Sequence, residues 1–325
     1  MSWIRPVCGV VAALLLSLPV SSGQLPTAAT GLLASSGNTL AQLNELQRRC
    51  EHNDNACLQS THQLLATQPK ASHLWYQLQI RQLDLLFRSQ QDEALWQLCE
   101  SLLTQNQLPD AFRARLYIYY AKLLHQRQHP QAQAYFRRAK QLLGDWQHST
   151  QEPQGYVRLY NLELYFTERL PFAYQQLQLI AGKYAQRQDP MFQYDLWNNL
   201  GHFAQKLLDP AAAVKQRQQA LYWALQSNHT GIQAQAHFNL ARQYSMAEQW
   251  QAAVPHFAKA TELYLQAEDP IAIHEAWLFS AEALWRTGQP KQAHQLFAKV
   301  NAGQLPAHRQ AALIEIRHLL LNNGS

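Results

Sequence analysis

From about residue 38 onward, apolar residues recur at helical spacing, and no convincing stretch of alternating apolar and polar residues interrupts them. Trp250, Ala253, Val254, Phe257, Ala260 and Tyr264 illustrate this, falling on one stripe of a helix. The pattern predicts a helical hairpin at about 38–48 and 56–67. Helices follow near 71–88, 91–105, 111–127, 131–143, 154–168, 172–187, 191–207, 211–227, 231–246, 250–267, 271–286 and 290–300, with a last one near 306–321. Boundaries are marked by Asp189-Pro190, Asp209-Pro210 and Asp269-Pro270, each an N-cap acceptor before a proline at the first helical position. Thr287-Gly288-Gln289-Pro290 ends one helix at glycine and starts the next at proline.

Between residues 194 and 300 the pattern repeats itself every 40 residues. Leu200-Gly201, Leu240-Ala241 and Ser280-Ala281 correspond, with Trp197, His237 and Trp277 four residues before the second member of each pair. Small residues recur at Ala213, Ala253 and Ala293, followed by Arg217, Phe257 and Phe297, then Ala220, Ala260 and Val300. Small residues on both helices of a unit allow close approach, and the large one fills the space between them. A single hairpin cannot bury its whole apolar face, so such units must stack.

This pattern of Trp, Leu-Gly/Ala, an aromatic, Ala, Phe and Ala resembles the tetratricopeptide repeat, with Tyr244 at the aromatic position of the middle unit. The period is longer than the usual ~34 residues. It is similar to a lengthened variant found in bacterial regulators and extracytoplasmic signalling proteins. Fainter copies lie upstream: Ala132, Phe136 and Ala139, then Ala173, Leu177 and Ile180, and, weakest, Ala94, Leu98 and Ser101. The resemblance implies an all-α, right-handed α-solenoid of stacked antiparallel hairpins. Its expected parts are an N-terminal hairpin (38–70), degenerate repeats (71–190), three clearer repeats (191–303) and a C-terminal capping helix (304–325).

In tetratricopeptide proteins the first helices line a concave groove. Carried over position by position, the resemblance places Asn198, His202 and Lys206, then Phe238 and Arg242, then Leu278, Glu282 and Trp285 in that groove. Of the family's carboxylate clamp only Asn198 fits. His202 stands where a second asparagine belongs, which argues against capture of peptide C-termini.

The start of the chain reads as a secretory signal over residues 1–23. Arg5 precedes an apolar run from Val7 to Leu18, and Ser21, Ser22 and Gly23 offer small residues for cleavage before Gln24. An uncleaved anchor is the alternative, although the run is short for a bilayer span. Residues 24–37 read as a flexible leader. In an oxidising compartment Cys50 and Cys57, flanking a helix turn, are disulfide candidates. The competing reading is a metal site from Cys50, His52, Cys57 and His62, whose spacing matches no standard zinc pattern. Cys99, beside Leu98, reads as a buried thiol.

Charged residues make up 15% of the chain and the net charge is +5, with no Lys/Arg run of the kind that tracks phosphates. No nucleic-acid partner and no stable membrane insertion after signal cleavage are therefore expected. His274-Glu275-Ala276-Trp277-Leu278 opens like a zinc-protease helix but lacks the second histidine. No nucleophile elbow, phosphate-cradling loop or dinucleotide fingerprint is present. No catalytic residue, metal ligand or cofactor is assigned. The expectation is an exported, periplasmic scaffold that holds a protein or peptide, with an extracytoplasmic ligand-sensing module as the alternative.

Overall fold

The computed structural model describes residues 42–43, 45–46, 48–50, 54–145, 153–166 and 169–322. The expected signal (1–23) and leader (24–37) lie outside the described residues. Asn44–Ser325 forms one compact unit. Of Met1–Leu43 only residues 42 and 43 are described, and both are helical.

After helical residues within 42–50, the helices are α1 (Asp54–Ala66), α2 (His73–Arg88), α3 (Asp92–Leu103), α4 (Asp110–Gln126), α5 (Ala132–Leu143), α6 (Gln154–Phe166) and α7 (Leu170–Lys183). Then come α8 (Pro190–Lys206), α9 (Pro210–Leu225), α10 (Thr230–Met246), α11 (Trp250–Gln266), α12 (Pro270–Arg286), α13 (Pro290–Phe297) and α14 (Gln310–Asn322). No strand occurs among the described residues. Each helix packs on its neighbours in sequence, and even-numbered helices also meet one another, as in α2–α4, α4–α6, α6–α8 and α10–α12. The odd-numbered helices make no contact of that extent with one another. Closer spacing on one side curves the stack, so the even-numbered helices line the concave face.

The 40-residue register is written into the turns. Gln90, Gln128, Leu208, Glu248 and Gly288 all adopt left-handed φ, between 54° and 76°, at the junction from an even to an odd helix. The next residue's N–H reaches back to the last helical turn, as in Asp209 to the Ala204 carbonyl (2.9 Å) and Gln289 to that of Leu284 (2.9 Å). This is the Schellman arrangement, which favours glycine at the left-handed position. Leu208 occupies it with a side chain 87% exposed. Leu208→Gly is therefore expected to stabilise the fold by about 1 kcal/mol, read as a higher urea midpoint at unchanged slope. Gly288→Ala should shift the midpoint the other way.

N-caps follow the same register. Asp189 Oδ1 accepts from the N–H groups of Met191 (3.1 Å) and Phe192 (3.2 Å), and Asp269 Oδ1 accepts from Ala272 (3.1 Å). Midway between them His229 takes the same role, its Nδ1 accepting from Ile232 (3.3 Å). The core follows the expected small–large pattern, with Ala241, Ala253, Phe257, Ala281 and Ala293 all 0% exposed. Cys50 and Cys57 are joined by a disulfide, with Cα atoms 4.5 Å apart. Their sulfurs are therefore committed to each other. His62 is paired with the Gln82 side chain at 2.7 Å, and His52 lies outside the described residues. Cys99 is fully buried, and burial pushes its thiol well above the ordinary range.

Candidate functional site: a charged concave face

Charge is sparse in this chain, yet several charged residues on the first helices lie close together. Arg81, Asp84 and Arg88 stand at i, i+3 and i+7 on α2, and Arg115, Tyr119 and Lys122 at i, i+4 and i+7 on α4. This spacing puts each trio on one helix face. Arg158 of α6 spans the gap between hairpins, reaching Asp84 of α2 at 3.3 Å and Asp195 of α8 at 3.5 Å. The Tyr119 hydroxyl donates to Asp84, and the Gln154 amide donates to Asp195. These groups are only partly open to solvent, with Arg158 17% exposed and Asp84 20%.

The two aspartates titrate differently. Burial opposes ionisation of Asp84, but the positive charges of Arg158 and Arg115 outweigh it and hold the carboxyl below its usual value. At Asp195 burial wins over Arg158 and Arg88, and its pKa is raised. Arg158 is held above its ordinary value: the charge of Asp84 outweighs the burial that would lower it.

A second cluster closes the stack on itself. Asp54, at the start of α1, receives Arg88 at 2.7 Å and lies 3.1 Å from His229 Nε2, 175 residues away. His229 Nδ1 is occupied as the N-cap acceptor, so in the neutral ring the proton sits on Nε2 and points at Asp54. An aspartate at 229, as at 189 and 269, would place two carboxylates face to face. Burial would raise the Asp54 pKa, but the hydrogen bond from His229 and the charge of Arg88 bring it down to about 2. A carboxyl held below its unfolded value stabilises the fold above that value and loses the effect as pH falls through the folded one. About 2 kcal/mol should therefore disappear between roughly pH 4 and pH 2. Asp54→Asn should flatten that part of the pH–stability curve.

Between the hairpins runs a ladder of amides. Asn161 donates to Asn199, Asn239 donates to Asn198 Oδ1 (3.0 Å), and Tyr194 donates to Gln235 Oε1 (2.9 Å). Arg217, from the outer helix α9, enters this ladder. It donates to the Asn198 carbonyl (3.0 Å), to the Asn198 side chain and to His202 Nδ1 (2.9 Å). Arginine has no acceptor, so His202 carries its proton on Nε2. Arg217 is 3% exposed, and burial brings its pKa down to about 10. It fits because residue 201 is glycine: a Cβ there would lie 2.9 Å from Arg217 Nε.

The residues expected in the groove separate into three groups and a lone tryptophan. Asn198 and His202 are half-buried around Arg217, with Lys206 exposed at the end of their helix. Arg242 and Glu282 come together at 3.9 Å in an open pocket of about 280 Å³, one side of which is lined by Ala312, Glu315 and Ile316 of the capping helix α14. Arg242 lies over the Phe279 ring, 3.7 Å from its centroid.

Phe238 and Leu278 are not in the groove: they are core residues, 5% and 0% exposed. Their position faces the next hairpin. Asn198 meets Asn239 there, and one repeat later Phe238 meets Phe279, ring centroids 5.9 Å apart. Trp285 is half-buried and edge-on to His294 of α13. Sequence reasoning centred the site on residues 198–285 and passed over Asp84, Arg88, Arg115, Lys122 and Arg158. Their signal was present as charges at helical spacing in an otherwise charge-poor chain.

Neither a protein-family model nor a curated protein sequence matches the chain. Solved structures do match in fold. A Rap protein complexed with competence and sporulation factor superposes with a TM-score of 0.60 at 12% identity, covering 89% of this chain and 84% of that one. Aspartyl phosphate phosphatase F from Bacillus subtilis superposes with a TM-score of 0.50 at 13% identity, covering 94% and 82%. With an all-helical chain, hairpins stacked in sequence order and these neighbours, the fold is that of a tetratricopeptide-type helical-repeat solenoid.

Proposed function

We propose that this chain is an exported, non-catalytic scaffold that holds a peptide or protein segment against the concave face of its solenoid. The observation that carries the reading is the concave face itself. Charged and amide side chains from α2, α4, α6 and α8 line it, partly exposed, on elements locked in place by inter-hairpin bonds. Such a surface offers many donors and acceptors at fixed spacing, which suits an extended chain. A solenoid of similar fold has been solved in complex with competence and sporulation factor, which supports a bound partner here. Export is supported by the signal-like residues 1–23 and by the Cys50–Cys57 disulfide, which belongs in an oxidising compartment. No helix among the described residues is long and apolar enough to cross a membrane.

A photo-crosslinking residue tests the assignment. It would replace Tyr165, an exposed residue whose ring lies 5.4 Å from Lys122 Nζ, and separately Lys215, exposed on the outer helix α9. Expression is in a Gram-negative host, followed by fractionation. The expected result is a defined adduct in the periplasmic fraction from position 165 and none from 215, with the mature N-terminus at Gln24. Adducts from both positions alike would reject the concave face, and retention in the cytosol would reject export.

A further inference from the structure

Opposite charges on the concave face do not balance. Arg158 and Arg88 are each in contact with an aspartate. Arg81, Arg115 and Lys122 have no carboxylate in ion-pair contact among the described residues. Arg81 reaches only the Cys50 sulfur, at 3.5 Å. Arg115 is partly buried with its Nη1 enclosed and without a hydrogen-bond partner. Lys122 lies over the Phe87 ring, 4.1 Å from the centroid, and burial brings its pKa down to about 8. Arg217, behind the amide ladder, is a further buried cation held only by neutral acceptors. Asp84 acts on Arg81 and Arg115, and Asp92 on Lys122, only from beyond ion-pair contact, and burial outweighs them; unlike the exposed lysines these cations cannot recover the cost from water. A chain with so few charges has no general need to bury several on one face. A ligand carboxylate would supply the missing partners.

We propose that the stretch of the concave face between α2, α4 and α6 binds an acidic peptide segment through carboxylate contacts to Arg115 and Lys122. This rests on the concave face being the binding surface and adds the charge of what it binds. The alternating aspartates favour a peptide over a nucleic acid. A phosphodiester backbone carries a charge on every residue and would set some of them against Asp84 and Asp195. An acidic peptide can place isolated carboxylates opposite the arginines and turn backbone N–H groups toward the aspartates. The carboxylates expected are those of Asp or Glu side chains.

The test uses the full mature chain and three fluorescent 12-residue peptides of alternating Glu/Ser, Gln/Ser and Lys/Ser, read by anisotropy at low and high salt. The Glu/Ser peptide is expected to bind at least tenfold tighter than Gln/Ser, with the difference shrinking as salt rises. Arg115→Met and Lys122→Met should each abolish that preference, while Lys215→Met on the outer helix leaves it unchanged. A second readout separates a ligand contact from a structural one. Arg115→Met should leave the Tm of the unliganded protein nearly unchanged, because relief of a buried charge is offset by losing that charge beside Asp84, and Arg115→Lys should restore part of the binding. Bound Glu/Ser peptide should also move the Lys122 titration upward from about 8. Equal binding of Glu/Ser and Gln/Ser, lost in Arg115→Met, would overturn the acidic preference and leave the binding face standing. Binding unaffected by either variant, or no binding by any peptide, would overturn the acidic-peptide proposal. A lower Tm for Arg115→Met with the Glu/Ser preference intact would make Arg115 structural and overturn its assigned role.

Discussion

Arg158→Ala is expected to destabilise the protein by about 3–5 kcal/mol. Its guanidinium is the common partner of Asp84 and Asp195, and it ties α6 to α2 and α8. Removing it leaves two largely buried carboxylates without the cation that acts on them most strongly. Asp84 would then lose the main charge that offsets its burial. The loss should appear as a lower urea midpoint, and it should be smaller at acid pH, where the carboxylates protonate. The double variant Arg158→Ala/Asp195→Asn should recover part of the loss, because it removes one of the stranded charges with its partner. If the single variant costs no more than a surface substitution, the cluster is solvated and the account of the concave face is wrong.

Phe257→Ala should cost about 3–5 kcal/mol, through loss of apolar burial and a cavity between α10 and α11. Phe257 is 0% exposed and packs on Phe238, ring centroids 5.8 Å apart, among fully buried alanines. At this chain length each kcal/mol is worth roughly 2–4 °C, so the Tm should fall by about 10 °C. Phe297 holds the same register position but is only half-buried at the end of the short helix α13. Phe297→Ala should therefore cost about 1–2 kcal/mol. Differential scanning calorimetry on the two variants makes the comparison; equal losses would mean that register position and not burial sets the energy.

Those two phenylalanines show what the sequence could and could not convey. Repeat spacing, helix boundaries and the small–large core pattern are local properties, and from Ala132 onward they were legible; the faintest copy, Ala94, Leu98 and Ser101, falls one residue out of register, since Leu95, Cys99 and Leu102 are the buried residues of α3. The Asp-Pro starts and the Gly288 stop were legible for the same reason, since caps depend on only a few neighbouring residues. The groove was not. The motif position carried over from the family points between successive hairpins in this longer repeat, so it can hold Asn198 in one unit and Phe238 or Leu278 in the next. The contacts that build the charged face join residues far apart, such as Asp84 with Arg158, and only the curvature of the whole stack brings them together. The substitution of arginine for phenylalanine at 217 was visible as a break in the register. Its meaning was not, until Gly201 and His202 were seen to make room for it and accept its protons.

Linear repeat arrays usually behave as chains of nearest neighbours, in which each unit feels only the next and melting can begin at either end. The bond from His229 to Asp54 changes that connectivity, because it ties the start of α1 to the start of α10. Fraying of α1 would then cost an interaction made by a hairpin five units further on, and loss of α10 would loosen the N-terminal end. The intervening repeats are expected to unfold together, in one sharp transition whose steepness depends on histidine 229. In His229→Ala the same chain should melt over a broader range, with the N-terminal helices exchanging their amide hydrogens first.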